Sequence, residues 1–202
     1  MEQFRKRCSE FFEALWPAEE KTLVFGEGQA VRPPIMLIGE APGEQETLQG
    51  RPFVGKAGKN LNAFLDVVGL ERENIYITNV VKVRPTRISD KGRVSNRPPN
   101  REELLLFTPY LYDEILLVQP RLIVTLGNVA LQSLMGRDTV IGSVHGREQQ
   151  VSLKWQGAEH PLRMVPLCKY LPALSFWTSV TSKRLSPTKS TPWSAHWPPI
   201  SA

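Results

Sequence analysis

The order of apolar segments predicts an α/β protein, a three-layer α/β/α sandwich around a short, mainly parallel four-stranded sheet. Three runs carry this expectation: Ile35 to Ile38, Ile75 to Thr78 with Val80 and Val81, and Leu122 to Leu126. Each is short, apolar and bounded by turn residues, as strands buried on both faces are. Helical patterns separate them, so strand, helix, strand, helix and strand follow one another, the order in which a parallel sheet is wound.

Taken in order, residues 2–16 form an amphipathic helix with Phe11, Phe12, Leu15 and Trp16 at helical spacing, ended by Pro17. The run Thr22 to Phe25 reaches a turn at Gly26-Glu27-Gly28. After the first strand, Leu61, Phe64, Leu65 and Val68 mark a helix that stops at Gly69. The second strand leads into Pro85 to Asn100, rich in Arg, Ser, Pro and Asn, which reads as one long loop. Glu102 to Val118 form a longer helix, closed by Pro120 ahead of the third strand. A short helix runs from Gly127 to Leu134. Val151 to Trp155 and Arg163 to Leu167 then make a hairpin around Gln156-Gly157, whose second arm is the fourth strand. Regular patterning ends there. A domain over residues 1–167 and a poorly ordered Ser/Thr/Pro/Trp-rich tail over 168–202 are expected.

At 202 residues the chain is long enough for one domain with a full core. Its net charge of +5 is unevenly placed. Residues 1–159 hold 20 Lys and Arg against 20 Asp and Glu, while residues 160–202 hold five basic residues and no acidic one. The basicity describes the tail, so bulk charge is a weak argument for nucleic-acid binding. Cys8 and Cys168 stand alone, with no C-x-x-C pair, which excludes a four-thiolate metal site within one chain and a disulfide framework. No apolar run reaches membrane-spanning length, and charges interrupt the N-terminal helix where a signal peptide needs an apolar core. A cytoplasmic monomer without cofactor or metal is expected.

The densest information lies in Gly39-Glu-Ala-Pro-Gly-Glu-Gln-Glu46 and Gly50-Arg-Pro-Phe-Val-Gly-Lys-Ala-Gly58. These glycines and prolines shape loops directly after a buried strand, where an α/β sheet offers ligands its strand ends. Gly50 to Lys56 also fits the phosphate-loop pattern G-x-x-x-x-G-K. Ala57, however, replaces the Ser or Thr that would hold magnesium, and the strand ends too early, at Ile38.

Up to about Leu167 the chain resembles the family 4 uracil-DNA glycosylases. Gly39-Glu-Ala-Pro-Gly43 is similar to the first motif of that family and Gly50-Arg-Pro-Phe-Val-Gly55 to its base-stacking loop. Asn79-Val-Val-Lys82 with Arg84-Pro85 is similar to the second-strand motif, and Ile123 to Gly127 to the third strand. The resemblance implies hydrolysis of the N-glycosidic bond of deoxyuridine in DNA, the first step of base excision repair, with uracil-containing DNA as partner. Such chemistry needs a flipped nucleotide, a held ring, stabilised charge on the departing base and a positioned water.

By that resemblance Phe53 stacks on the base and Glu40 positions or polarises water. Asn79 reads the uracil edge, because a carboxamide offers donor and acceptor together. The backbone around Ala41 to Gly43 meets a uracil carbonyl. Lys56, Lys82 and Arg84, among neighbouring basic residues, contact phosphates. The residues alone leave other roles open: Phe53 in the core, Asn79 capping a turn, Glu40 and the cations solvated.

Two departures from the family stand out. Typical members bind an iron–sulfur cluster on four cysteines, at positions that correspond here to Phe11, Ala14, Val83 and Phe107, so a cluster-free chain is expected, with packing in its place. After the last strand, members continue with aromatic-His-Pro, whereas Leu167 is followed here by Cys168-Lys-Tyr-Leu-Pro172. The change coincides with the loss of acidic residues and points to a shifted reading frame or a divergent terminus. His160, before the strand, is the candidate substitute for the motif histidine; its other reading is a polar turn residue. The alternative function is therefore an impaired or inactive DNA-binding member of the same fold.

Overall fold

A computed structural model describes residues 1–17 and 21–168. Its elements are α1 (Glu2–Leu15), β1 (Glu27–Gly28), β2 (Ile35–Gly39), α2 (Glu44–Gln49), α3 (Lys56–Val68), β3 (Tyr76–Asn79), β4 (Thr86–Ile88) and β5 (Val94–Asn96). There follow α4 (Arg101–Val118), β6 (Leu122–Leu126), α5 (Asn128–Met135), α6 (Ile141–Val144), β7 (Gln149–Trp155) and β8 (Ala158–Leu167). The expected tail lies, from residue 169 on, outside the described residues. Among the described residues no helix is long and apolar enough to cross a membrane.

The main sheet has six strands in the order β1-β3-β2-β6-β8-β7, which corrects the expected four. β3, β2, β6 and β8 run parallel, while β1 and β7 pair antiparallel at the two edges. β1 is two residues long and its Gly-Glu-Gly sequence reads as a turn. β7 is the first arm of the expected hairpin, and it extends the sheet because β8 pairs with β6 on one side and β7 on the other. Between Pro85 and Asn100, β4 and β5 form a separate two-stranded hairpin where a long loop was expected.

Alternate strand residues feed two apolar clusters. Met36, Ile38, Tyr76, Ile123 and Met164 pack with Phe4, Cys8 and Phe12 of α1, Phe107, Leu111 and Ile115 of α4, and Ala130 and Leu131 of α5. Leu37, Ile77 and Val124 pack with Leu61 and Leu65 of α3. Helices thus cover both faces, consistent with α/β/α layering, and this explains why the strands are continuously apolar. α4 starts at a capping box: Asn100 Oδ1 accepts from the Glu103 N–H and Glu103 Oε2 from the Asn100 N–H, both at 2.8 Å. With four parallel strands, their C-terminal ends lie along one edge of the sheet, and the loops leaving Gly39, Asn79 and Leu126 converge there.

Candidate active site

A cleft of about 650 Å³ opens at this edge, lined among others by Gly39, Glu40, Phe53, Asn79 and Leu126. Its size suits a small ligand. Gly39 ends β2, pairs with Asn79 at the end of β3, and lies against both the Asn79 carboxamide and the Phe53 ring. A methyl group on Gly39 would overlap the Asn79 Oδ1 and the Phe53 ring edge, so glycine is what lets an aromatic face and a carboxamide meet there. Asn79 is 2% exposed and Phe53 is half-buried.

Phe53 takes a positive φ of 53°, a costly conformation for a residue with a side chain, and its loop is held from several directions. The Val54 and Gly55 N–H groups donate to Glu46 Oε1 at 3.0 and 2.7 Å, and the Gly43 N–H donates to Glu46 Oε2 at 3.1 Å. One buried carboxylate thereby ties the loop after β2 to the Phe53 loop. From the other side Arg72 donates to the Pro52 carbonyl. Arg72 and Arg51 also bind Glu27, each with a closest contact of 2.7 Å. Burial pushes the Glu27 carboxyl upward, but the hydrogen bonds from Arg51 and Arg72 outweigh it and hold the group below the usual carboxylate range. Gly58 completes the support: a Cβ there would overlap the Phe53 carbonyl, so α3 packs directly on the loop backbone.

Asn79 is anchored through its main chain. Lys82 is 1% exposed, and its ammonium donates to the Asn79 carbonyl at 2.7 Å, Thr78 Oγ1 at 2.7 Å and Glu114 Oε2 at 2.6 Å. Glu114, on α4 and fully buried, also accepts from the Tyr76 hydroxyl at 2.9 Å and from Thr78 at 3.1 Å. Burial, followed by the Glu114 charge, pushes the Tyr76 phenol far above its ordinary range.

The expected site residues therefore divide. Glu40, Ala41, Gly43, Phe53, Lys56 and Asn79 all line the cleft. Gly43 contributes a close approach only, because its N–H is already donated to Glu46. Lys82 is corrected from a phosphate contact to a buried ion-pair partner, since a phosphate needs an ammonium at the surface. Arg84 is largely engaged beside the cleft, donating to Asn96 Oδ1 at 2.7 Å and to Glu44 at 3.3 Å. His160 stands near the start of β8, opposite Leu153 of β7. Seven residue steps along the strand separate it from Leu167, about 23 Å at the rise of a strand, so it belongs to the far end of the sheet and cannot replace a histidine at the cleft.

Three further groups support or adjoin the cleft with little or no signal in the sequence. Glu46 has a local signal, a Glu three residues beyond Gly43 at a helix start. Glu114 follows Asp113 and precedes the apolar stretch Ile115-Leu-Leu-Val118, so nothing in its immediate sequence marks it as the buried one of the two. His145 follows α6 and accepts the Cys168 N–H on Nδ1 at 3.1 Å, just beyond the C-terminal end of β8. With Nδ1 so engaged, Nε2 is the ring nitrogen left for another partner near the C-terminal end of β8.

The positions corresponding to the cluster cysteines do not fit an iron–sulfur cluster. Phe11 is 42% exposed and Ala14 is exposed, while Val83 and Phe107 are buried. Phe12, not Phe11, fills the interior, stacked on Phe107 at 4.5 Å and on Trp16 at 5.2 Å. Carbon surface replaces thiolate there, and among the described residues no three His, Cys, Asp or Glu gather as a metal site.

Strand ends that bring an aromatic ring and a carboxamide together offer a flat heterocyclic ring an apolar face and a paired donor and acceptor. The chain belongs to the uracil DNA glycosylase superfamily, whose family model matches residues 25–189. It is 41% identical over 132 residues to a type-4 uracil-DNA glycosylase of Saccharolobus solfataricus, covering 63% of this chain and 57% of that protein. The Pyrobaculum aerophilum protein of the same name is 44% identical over 131 residues, 63% of this chain and 62% of its own. That of Sulfurisphaera tokodaii is 39% identical over 157 residues, 75% and 64%. The matches thus span between 57% and 64% of these relatives' length.

Proposed function

We propose that this protein hydrolyses the N-glycosidic bond of deoxyuridine in DNA to start base excision repair, acting as a cytoplasmic monomer in a three-layer α/β/α domain over residues 1–167. The observation that carries the proposal is the meeting of the Phe53 ring and the Asn79 carboxamide over Gly39. A flipped uracil stacks on Phe53 while Asn79 Nδ2 donates to its O4 and Oδ1 accepts its N3–H. Cytosine presents a donor and an acceptor in the opposite order and is disfavoured. Glu40, half-buried at the cleft wall, positions the attacking water. Donors around the departing ring carry its developing charge, each worth on the order of a hundredfold to a thousandfold in rate. Lys56, exposed at the start of α3 and lining the cleft, supplies a phosphate contact.

The second reading, an impaired or inactive DNA-binding member, is favoured by the Cys168-Lys169-Tyr170 sequence where relatives of this class were expected to carry aromatic-His-Pro. Cleavage of an oligonucleotide with one uracil, after alkali, separates the two readings when Phe53→Ala/Asn79→Ala is run beside the parent. Product lost in the double variant supports the glycosylase. No product from the parent, with uracil-DNA binding retained, supports the inactive member. In an active parent, His145→Ala lowers the rate and His160→Ala does not.

A further inference from the structure

The β4–β5 hairpin stands outside the main sheet and is braced at its base. Arg97 binds Glu103 with two hydrogen bonds of 2.7 Å, and its Nε donates to the Thr86 carbonyl at 2.9 Å. Arg84 holds Asn96 at 2.7 Å. Pro85, Asn96, Arg97 and Pro98 line the cleft, so this base is part of the pocket rim. Beyond it, Ile88 and Val94 face each other across the ladder. They share one face of the hairpin with the Thr86–Asn96 pair, because side chains alternate along a strand. The rim of the cleft therefore continues outward into an apolar cross-strand pair, with Ile88 72% and Val94 49% exposed.

Water gives such a pair little reason to exist, and its surroundings name a partner. Arg87, Lys91 and Arg93 are exposed on the same hairpin, with Asp90 its one acidic residue. Arg87 is directed across the ladder, its Nε donating to Ser95 Oγ at 3.2 Å. Arg87 and Ser95 alternate to the face opposite Ile88 and Val94, so the hairpin presents an apolar face backed by cations, which suits stacked bases flanked by phosphates.

We infer that this hairpin is a wedge for duplex DNA: the Ile88–Val94 pair presses into the duplex beside the extruded nucleotide while Arg87, Lys91 and Arg93 hold the flanking phosphates. The inference deepens the proposed function and rests on it for the position of the flipped base. Pressing an apolar pair into the stack helps to offset unpairing, a cost that only a duplex imposes.

The test uses the full chain and fluorescence anisotropy on three labelled probes: a duplex with one U·G pair, the uracil strand alone, and a fully paired duplex with thymine in its place. Ile88→Ser/Val94→Ser lowers affinity for the U·G duplex about tenfold and for the single strand by less than about twofold. Arg87→Gln/Lys91→Gln/Arg93→Gln flattens the slope of log K against log salt by about 2.7. All five side chains are exposed, and an unchanged thermal midpoint verifies folding. Equal losses on duplex and single strand, or no loss on either, overturn the wedge. A parent without preference for uracil over thymine defeats the pocket reading instead, and the thymine duplex then still decides the wedge. A parent that binds none of the probes defeats both.

Discussion

Glu46 and Glu114 are both buried carboxylates, and each supports one wall of the same cleft, yet they are satisfied by different partners. Glu46, 8% exposed, accepts three backbone N–H groups from two loops. Glu114, fully buried, takes the Lys82 ammonium and the Tyr76 and Thr78 hydroxyls. The first fixes the path of the chain around Phe53. The second neutralises a charge beneath Asn79. Neutral donors lose a partner when Glu46 is removed, whereas removing Glu114 strands an ammonium in an apolar core. Damage at Glu46 should therefore be read mainly in the proposed excision, and damage at Glu114 mainly in stability.

Removing Glu114 should do the most damage. Glu114→Leu costs about 3–5 kcal/mol in urea unfolding because Lys82 is left buried and unpaired. Lys82→Met/Glu114→Leu regains most of that loss; a double variant as unstable as the sum of the singles would refute a coupled pair. On the other side, Glu46→Gln costs about 1–3 kcal/mol, since a neutral amide offers one acceptor oxygen to donors that now meet two carboxylate oxygens. Single-turnover excision should nevertheless fall tenfold or more as the Phe53 loop loses its tie. Unchanged turnover with lowered stability would erase the distinction between the two carboxylates.

A smaller effect follows pH. The hydrogen bonds from Arg97 hold the Glu103 carboxyl below its ordinary range against the opposing effect of burial, and Glu27 is likewise held low. A carboxylate with a depressed folded pKa contributes its full stability above the unfolded pKa, and that stability is lost as pH falls through the folded value. The hairpin base and the start of α4 should thus loosen only in acid, below the usual carboxylate range. Hydrogen exchange at Glu103 and Leu104 should show this, with Arg97→Gln removing most of the pH dependence. Uniform loosening at neutral pH would contradict it.

The smallest signal is chemical. Burial outweighs the opposing charges of Lys82 and Arg7 and raises the Cys8 thiol to about 11, and the side chain is 1% exposed. A disulfide reagent at pH 8 should consume Cys168 first and reach Cys8 only through opening of the α1–α4 side. Faster Cys8 labelling in Glu114→Leu, but not in Glu46→Gln, would sharpen the contrast between the two walls.

Legible in the sequence alone are the α/β class, the strands at 35, 75 and 122, the end of α4, and the order of motifs that brings Phe53 and Asn79 to one cleft. Those features are legible because apolar period, glycine and proline act over a few residues. Which charged groups face solvent is set by packing between distant segments. Lys82 reads as a surface cation in a motif, yet its partner Glu114 is 32 residues away on another element. His160 and Leu167 share one strand, and only the direction of that strand against β6 shows that they occupy opposite ends of the sheet. The β4–β5 hairpin stayed hidden because its strands are three residues each and carry arginine, serine and asparagine instead of an apolar period. Local pattern sets what a segment is, but the cost of burying charge is settled between segments, and that is where the roles of Lys82, Glu46 and His160 were decided.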